Sequence, residues 1–502
     1  MSSQRPCRRA ADLGFKWAFV TPFTLSHRAL IAALATWLLF ASSPASPANP
    51  ARPNLIVILA DDLGYGDLGC YGQKRIRTPR LDRMATEGTR FTRYYAGATV
   101  CAPSRSVLMQ GLHTGHCRVR GNAGRQNPLA QSLRPDDVTV AEVLKSAGYA
   151  TGLVGKWGLG DTPGGEPGLP RSQGFDEFFG YLNQHHAHNY FPTFLWRNEQ
   201  RIHLSNVVTN EDWAGGGRSS NKAQYSADLI ADEALAFIER HQRHPFFLCF
   251  TPTLPHANNE AGRDGMEIPD LGDYRGLDWP PAAKGHAAMV TRLDRDVGRL
   301  LDRLAELGLD DRTLVIFTSD NGPHREGGND PDFNDSNGPL RGIKRDLYDG
   351  GIRVPMIVRW PGHVPAGRVR DEIWWAADLL PTLAEFSGAR TPSHLDGISV
   401  VRLLKGGRAP RRTAPLYWEF HEGGFKQAVL DGSWKAIRLG PAKPVQLYHL
   451  DTDPGEAHDQ ASSEPRRVTR LTSWMDRSRR DSADWPVPTK ASQGSDSDSS
   501  SK

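Results

Sequence analysis

Short apolar runs bounded by Gly, Pro or charged residues recur along the chain. Residues 54–60 read NLIVILA between a proline and two acids, which is typical of a strand buried on both faces of a sheet. Similar runs lie at residues 151–154, 246–250, 314–317 and 354–358. The pattern therefore predicts several strands of a mostly parallel sheet.

Amphipathic helical patterns lie between these runs. Residues 79–87 follow Thr78, a possible N-cap, and residues 226–243 and 286–307 keep apolar side chains at the i, i+3, i+4 spacing. Because strands alternate with helices, we predict an α/β fold in which a large, mostly parallel or mixed sheet is sandwiched by helices.

The pattern changes from about residue 411 to short alternating segments separated by Gly and Pro, which is typical of antiparallel strands. We predict a smaller C-terminal antiparallel β subdomain there. A Ser/Asp-rich end is expected to be disordered. The predicted domains are the main α/β domain at residues 51–410, the subdomain at 411–490 and the disordered tail at 491–502.

Residues 1–50 differ in composition from the rest of the chain. Basic residues end at Arg28, residues 29–41 are apolar and uncharged, and residues 42–50 are rich in small residues and Pro. This order predicts a signal peptide with a Pro-rich leader, and hence export to the periplasm or outside the cell. The apolar run is shorter than the ~20 residues that span a bilayer, so no stable membrane span is expected. A membrane anchor and a wrongly assigned start codon are the alternatives.

Charge and cysteine content say little about partners. The chain has 502 residues, with 61 Lys plus Arg against 57 Asp plus Glu. So small a surplus does not indicate a nucleic-acid partner, which needs a clustered basic face.

Export would permit disulfides, and the sequence does not determine which cysteines would pair. The cysteines after the leader are Cys70, Cys101, Cys117 and Cys249.

Two of the predicted buried strands are followed by side chains that offer oxygen. Asp61 and Asp62 follow the first strand, and Asp320 and Asn321 follow the run near residue 317. Ligands of open α/β sheets bind outside the carboxyl ends of the strands, so we expect both pairs to face one site. Oxygen ligands favour calcium or magnesium over zinc or copper. For either pair alone, a turn or a helix N-cap is the alternative.

Cys101 opens the segment CAPSR. Pro103 suits the first turn of a helix, which would put Cys101 at the helix N-terminus, where an anion is favoured, and Arg105 one turn on. Two interpretations are open from these residues alone. Cys101 is either a cysteine of low pKa near an anion site or a buried core cysteine.

Together with its flanking motifs, this segment resembles the type I sulfatases of the alkaline phosphatase superfamily. The C-x-P-x-R motif is followed by Leu108 and Gly111, and the flanking motifs are LADDLGYGD before it and GYATGLVGKWGLG, TPTLPH, TSDNG and LRGIK after it. The similarity covers residues 54–459, in the family's motif order. It implies an alkaline-phosphatase-like fold and an arylsulfatase-like sulfuric ester hydrolase.

The resemblance implies that Cys101 is oxidised after translation to Cα-formylglycine, whose hydrate is the nucleophile. A formylglycine-generating enzyme or an equivalent would then be a maturation partner. A gem-diol oxygen beside a divalent cation and an arginine loses its proton more easily than a serine hydroxyl does. After attack on sulfur, re-formation of the aldehyde expels sulfate, so no water need attack the anionic sulfur.

The resemblance also implies roles for the other motif residues. The expected ion is Ca²⁺, with Mg²⁺ possible, and its ligands are Asp61, Asp62, Asp320 and Asn321. The remaining matches are Arg105 at the diol and metal region, Lys156 and Lys344 at the sulfate oxygens, and His256 near the leaving oxygen as candidate general acid. Taken singly, each lysine better suits a solvated surface, and the histidine suits a loop equally well.

Two positions depart from the family pattern. Many relatives have His two residues after the motif lysine, where this chain has Gly158. A substitute can come from His185, His186 or His188, of which we favour His188, and a solvated or carbohydrate-contacting loop is the alternative. Gln110 stands where Thr is usual, outside the core triplet of the motif, so we expect Cys101 still to be converted.

Three functions remain open at this level. We favour hydrolysis of sulfate esters of a carbohydrate or a phenol. The alternatives are a phosphodiesterase or phosphonate monoester hydrolase that uses the same site, and a catalytically inactive (lapsed) homologue that binds sulfated glycans. Aromatic and basic side chains between residues 161 and 206 either line a sugar-binding cleft or form a small core, and they are Tyr190, Phe191, Trp196 and Arg197.

Overall fold

The computed structural model describes residues 16–19, 52–123, 127–161 and 167–487. The chain divides at Arg52, and every element named below belongs to the second unit. The predicted leader, apart from residues 16–19, and the predicted tail lie outside the described residues. Within the described part, the helices are all too short or too polar to cross a membrane.

Strands and helices are interspersed along the second unit. The strands are β1 Asn54–Ala60, β2 Thr89–Phe91, β3 Tyr94–Tyr95, β4 Ala150–Lys156, β5 Glu177–Tyr181, β6 Phe194–Arg197, β7 Gln200–His203, β8 Val207–Thr209, β9 Arg218–Asn221, β10 Phe246–Thr251, β11 Thr313–Ser319, β12 Met356–Arg359, β13 Arg368–Arg370, β14 Trp374–Trp375, β15 Leu416–Phe420, β16 Lys426–Asp431, β17 Trp434–Arg438 and β18 Val445–His449. The α-helices are α1 Pro79–Glu87, α2 Cys101–Gln110, α3 Val140–Ser146, α4 Gln184–His188, α5 Ser226–His241, α6 Pro281–Glu306, α7 Pro331–Asn334, α8 Asp349–Ile352, α9 Leu379–Ser387, α10 Val401–Leu404 and α11 Pro465–Arg477.

A ten-stranded mixed sheet forms the centre of the fold, in the order β13-β2-β12-β11-β1-β10-β4-β5-β6-β7. The strands from β11 to β5 run parallel to one another. The predicted α/β fold with a large mixed sheet is therefore confirmed. The run at residues 354–358 is β12, which pairs antiparallel with both β11 and β2, so the sheet is mixed at that side.

Both faces of the sheet are covered. Along β1, Leu55, Val57 and Leu59 face one apolar core, and Ile56 and Ile58 face the other. Helices α2, α3 and α9 contribute to the first core, and α1, α5 and α6 contribute to the second. The continuous apolar run in β1 follows from this two-sided burial.

The predicted helices form with small differences at their ends. Helix α1 begins at Pro79, but the Thr78 side chain makes no capping bond. It accepts a hydrogen bond from the backbone N–H of Gly69 instead, at 2.8 Å. The apolar stripe of the helix predicted from residue 286 lies within α6, which starts earlier at Pro281.

The C-terminal strands form a separate four-stranded antiparallel sheet in the order β15-β16-β17-β18. The smaller antiparallel sheet is confirmed, whereas the domain bounds drawn at residues 411 and 490 stay a prediction. One face of this sheet joins the main apolar core, and the Trp418 indole N–H donates to the carbonyl of Ala96 at 2.9 Å. The other face packs on α11.

Candidate active site

The two pairs of strand-end side chains meet, as expected. Ala60 of β1 lies beside Ser319 of β11 in the parallel register, so the residues that follow these two strands are neighbours. The Asp62 backbone N–H donates to Oδ1 of Asp320 at 3.1 Å. Asp62 has a φ of +64°, which turns the chain sharply at the end of β1.

Cys101 is the first residue of α2 and faces these carboxylates. Its Sγ lies 3.2 Å from Oδ1 of Asp61 and 3.9 Å from Oδ1 of Asp62. Only 3% of the residue is exposed. Burial and the charge of Asp61 raise the pKa of the thiol well above its usual value, which favours the interpretation of a buried cysteine over that of a low-pKa cysteine.

Arg105 lies one turn along α2 and binds the strand-end residues. Its Nη2 and Nε lie 2.9 Å and 3.2 Å from Oδ2 of Asp320, and its Nη1 donates to the carbonyl of Lys156 at 2.7 Å. Lys156 is the last residue of β4, and its Nζ lies 2.7 Å from Oδ2 of Asp61. These side chains are buried, so the ion pairs form in a water-poor environment.

The acids of the site respond differently to this environment. Burial works to raise the pKa of Asp61, but Lys156, His256 and Arg105 hold it well below its usual value. Burial and the charge of Asp61 raise the pKa of Asp320 to about 7. Burial and its like-charged neighbours thus oppose the ionised form of Asp320, which a further cation beside these oxygens would stabilise.

Lys344 contacts three groups of the site. Its Nζ lies 2.9 Å from Oδ2 of Asp62, 3.2 Å from Nε2 of His256 and 2.9 Å from Oε2 of Glu326. The ring Nδ1 of His256 donates to the carbonyl of Ala257 at 2.7 Å, so Nε2 is the acceptor. Burial and Lys344 lower the pKa of His256 to about 3, which keeps the ring neutral without a ligand.

Sequence reasoning missed Glu326 as a member of the site. Its Oε1 lies 2.6 Å from Nη1 of Arg345, and its Oε2 lies 2.9 Å from Nζ of Lys344. Glu326 comes six residues after Asp320, in the segment that follows β11, and that nearness to a strand end was the available signal. The sequence also gave no role to Glu260, which binds His188.

The residues present fit a hard divalent cation. Asp61, Asp62, Asp320 and Asn321 converge, and all offer oxygen. The Asn321 amide Nδ2 donates to Oδ1 of Asp62 at 2.7 Å, while its buried Oδ1 finds no hydrogen-bond partner among the described residues. A buried acceptor left in this way beside two carboxylates suits a metal ligand.

A cleft of about 360 Å³ opens beside these groups. Cys101, His256 and Lys344 line it, together with His188 and Trp213. The structure therefore brings all nine predicted site residues to one place, around a cleft that a small ligand can enter.

The aromatic side chains proposed as a sugar-binding cleft lie elsewhere. Tyr190, Phe191 and Trp196 are buried in the two apolar cores, and Arg197 pairs with Glu233. The sugar-cleft interpretation is therefore wrong for the three rings.

The four cysteines of the described unit are free thiols, so no disulfide forms among Cys70, Cys117 and Cys249 there.

Comparison with known proteins places the chain in a family. Residues 53–389 match the Sulfatase family, and residues 343–478 match the family N-sulphoglucosamine sulphohydrolase, C-terminal. The chain is 35% identical to human arylsulfatase A, over 86% of each protein. It is 34% identical to pig N-acetylgalactosamine-6-sulfatase, over 85% of this chain and 86% of the relative.

Solved structures agree with this result. The structure of Ps i-CgsB in complex with k-i-k-neocarrahexaose superposes with a TM-score of 0.73 at 30% identity, over 88% of this chain and 96% of that one. The chain belongs to the type I sulfatases, which are the sulfuric ester hydrolases of the alkaline phosphatase superfamily.

Proposed function

We propose that this protein hydrolyses the sulfate esters of a carbohydrate to an alcohol and inorganic sulfate. The observation that carries the proposal is the buried Cys101, which faces Asp61 and Asp62 in a cleft whose walls include His256 and Lys344. A relative named N-acetylgalactosamine-6-sulfatase and a related structure that holds a neocarrahexaose support a sugar substrate.

Asp61, Asp62, Asp320 and Asn321 would hold the cation, which we propose to be Ca²⁺, with Mg²⁺ as the alternative. When bound, a divalent cation offsets negative charge on the sulfuryl oxygens and favours loss of a proton from a neighbouring hydroxyl. Arg105 holds Asp320 through two guanidinium nitrogens and so fixes one ligand in place.

Cys101 as a thiol is poorly suited to attack sulfur. It is buried beside carboxylates that disfavour the thiolate, which is the nucleophilic form. Conversion to Cα-formylglycine replaces the thiol with an aldehyde whose hydrate offers a hydroxyl nucleophile. Because only 3% of Cys101 is exposed, we propose that the formylglycine-generating enzyme acts on the chain before it folds.

Lys156 and Lys344 would bind the sulfate oxygens from two sides. Each ammonium group is held by one of the strand-end carboxylates, Lys156 by Asp61 and Lys344 by Asp62. The charges are therefore fixed before the substrate arrives, and removing one preorganised donor of this kind typically lowers kcat by about 10²–10³-fold.

His256 would assist the leaving group. A sulfate ester brings negative charge next to the ring, which raises the pKa of His256 and favours its protonated form. The ring would then donate its Nε2 proton to the leaving oxygen as the S–O bond breaks. Lys344 lies 3.2 Å from Nε2 and can return a proton to the ring.

Turnover of matched esters tests the reaction class. We expect the purified protein to release sulfate from 4-nitrophenyl sulfate and from members of a panel of defined sulfated saccharides. A phosphodiester of the same phenol should react more slowly, and Cys101→Ala should abolish sulfate release. Faster turnover of the phosphodiester would favour the phosphate ester alternative. Binding of sulfated polysaccharide without any release of sulfate would favour the lapsed homologue.

We also propose that the protein is exported. The support is the basic, apolar and small-residue order of residues 1–50. N-terminal sequencing of the protein from fractionated cells should show a cleaved chain outside the cytoplasm, and an uncleaved chain in the cytoplasm would contradict export.

A further inference from the structure

The short helix α4 lies beside Gly158. Gly158 follows the site residue Lys156 by two positions and has a φ of +81°, a conformation that other residues rarely adopt. A Cβ atom at this position would lie 2.4 Å from Nε2 of Gln184, the first residue of α4. The positive φ therefore disfavours a larger side chain at position 158, and the amide end of Gln184 would have to move to admit one.

The last residue of α4, His188, lines the same cleft as Cys101 and His256. Its ring stacks on the ring of His256, with a centroid separation of 4.9 Å and an interplanar angle of 10°. The side chain is 12% exposed, so the ring is largely enclosed and still open to the cleft. Helix α4 thus brings an imidazole to the cleft from a different part of the chain.

Glu260 determines how this imidazole is oriented. Both carboxylate oxygens of Glu260 lie 3.2 Å from Nδ1 of His188. A carboxylate can only accept, so the ring hydrogen lies on Nδ1 and the lone pair lies on Nε2. Burial lowers the pKa of His188, which keeps the ring neutral and Nε2 available as an acceptor.

We propose that His188 is a catalytic residue that accepts a proton at Nε2 from the hydroxyl group of the converted residue 101, and that Glu260 is its positioning residue. This inference rests on the proposed sulfatase function. The O–H bond of the nucleophile breaks and an N–H bond forms on His188 as the new O–S bond forms. The S–O bond to the leaving alcohol breaks, and that oxygen takes its proton from His256. Glu260 faces the imidazolium that results and stabilises it.

Steady-state kinetics with a matched control test the catalytic role. The control is His203 in β7, an exposed histidine outside the cleft lining. We expect His188→Gln to lower kcat by about 10²–10⁴-fold, with KM within about threefold of the wild type. His203→Gln should stay within about threefold of the wild type in kcat. Glu260→Gln should lower kcat less than His188→Gln does.

Chemical rescue separates proton transfer from a structural role. Free imidazole should restore part of the kcat of His188→Ala, because it can enter the cleft and accept the same proton. It should have no effect on Lys156→Ala. A kcat of His188→Gln within threefold of the wild type, or a loss in His203→Gln as large as in His188→Gln, would overturn the proposal.

A labelling experiment tests the position of the His188 ring independently of turnover. In Cys101→Ala protein, diethyl pyrocarbonate should modify His188 at Nε2, and saturating inorganic sulfate should slow this modification but leave that of His203 unchanged. An unprotected His188 would contradict the proposal. If the wild-type protein fails to hydrolyse any sulfate ester, the proposed function fails, whereas sulfate protection of His188 still reports whether its Nε2 faces the anion site.

Discussion

Lys344 is the residue at which three parts of the site meet. It binds Asp62 from the segment after β1, His256 from the segment after β10 and Glu326 from the segment after β11. Burial opposes its charge, but Asp62 and the other anions raise its pKa well above the usual value, so it stays protonated. A fixed positive charge in such an enclosed place is worth more than the same charge in water.

Replacement of Lys344 should therefore affect chemistry more than binding. We expect Lys344→Ala to lower kcat by about 10²–10³-fold, because a preorganised charge near the sulfuryl oxygens and the leaving group is lost. Lys74, which is exposed and lies outside the motifs, provides the control, and Lys74→Ala should leave kcat unchanged. Steady-state kinetics measure both variants. A kcat of Lys344→Ala close to that of the wild type would contradict the role assigned to the lysine.

At the scale of elements, the parallel pairing of β1 and β11 assembles the proposed metal ligands. The pairing could be predicted, because both segments are continuous apolar runs whose carboxyl ends carry oxygen side chains. Asp61 and Asp320 could thus be placed together from the sequence. The contact between His188 and Glu260 could not be predicted, because it joins α4 to the segment after β10. Hydrophobic periodicity identifies helices and strands but does not indicate which loops contact each other.

The direction of β12 could not be predicted from the sequence either. Its apolar run has the composition of a buried strand whether it runs parallel or antiparallel to β11. The burial of Tyr190 and Phe191 could not be predicted either, because an aromatic ring suits a cleft and a core equally well. Local composition predicts that a segment is an element, whereas tertiary packing determines its partners.

A cation at the ends of β1 and β11 should stabilise the fold. A ligand that binds only the folded state adds about 2.7 kcal/mol at one hundred times its Kd. We expect Ca²⁺ to raise the Tm of chelator-treated protein, and we expect Asp62→Asn to reduce this rise strongly. Asp302→Asn, at an exposed acid of α6, should keep it. Differential scanning calorimetry with and without Ca²⁺ measures the effect, and an unchanged Tm in the wild type would contradict the proposed metal site.

A buried ion cluster joins the C-terminal sheet to the segment around α8. Nζ of Lys435 in β17 lies 2.7 Å from Oδ1 of Asp349 and 3.0 Å from Oε1 of Glu456, and all three side chains are fully buried. Removal of one partner from a buried ion pair leaves an uncompensated charge, at a cost of about 3–5 kcal/mol. We expect Lys435→Met to lower the free energy of unfolding in urea by that amount. The exposed Lys443→Met should change it little, and equal stability of the two variants would contradict the account.

The same cluster predicts a pH dependence of stability. Burial raises the pKa of Glu456 to about 7, above its value in the unfolded chain. The folded state then holds a proton that the unfolded state releases, so the stabilising contribution is full below the unfolded pKa and is lost as the pH rises through about 7. Glu456→Gln should match the wild type near pH 4 and exceed its free energy of unfolding near pH 8. Parallel urea titrations at both pH values measure this difference, and an unchanged difference would contradict the raised pKa.

At the scale of the whole molecule, the fold encloses its proposed nucleophile. Cys101 lies at the start of α2, below the cleft walls that α4 and the loops after β10 and β11 supply. Segments that are far apart in the chain must therefore be in place before the site exists. This arrangement supports conversion of Cys101 on the unfolded chain and catalysis only after folding.

The mass of one peptide tests the central claim most directly. Trypsin should release Tyr94–Arg105, which contains Cys101, from protein whose turnover of a sulfate ester has been measured. The account predicts an aldehyde in place of the thiol at position 101, in a fraction that rises with specific activity across preparations. A fully active preparation in which this peptide carries only an unmodified thiol would contradict it.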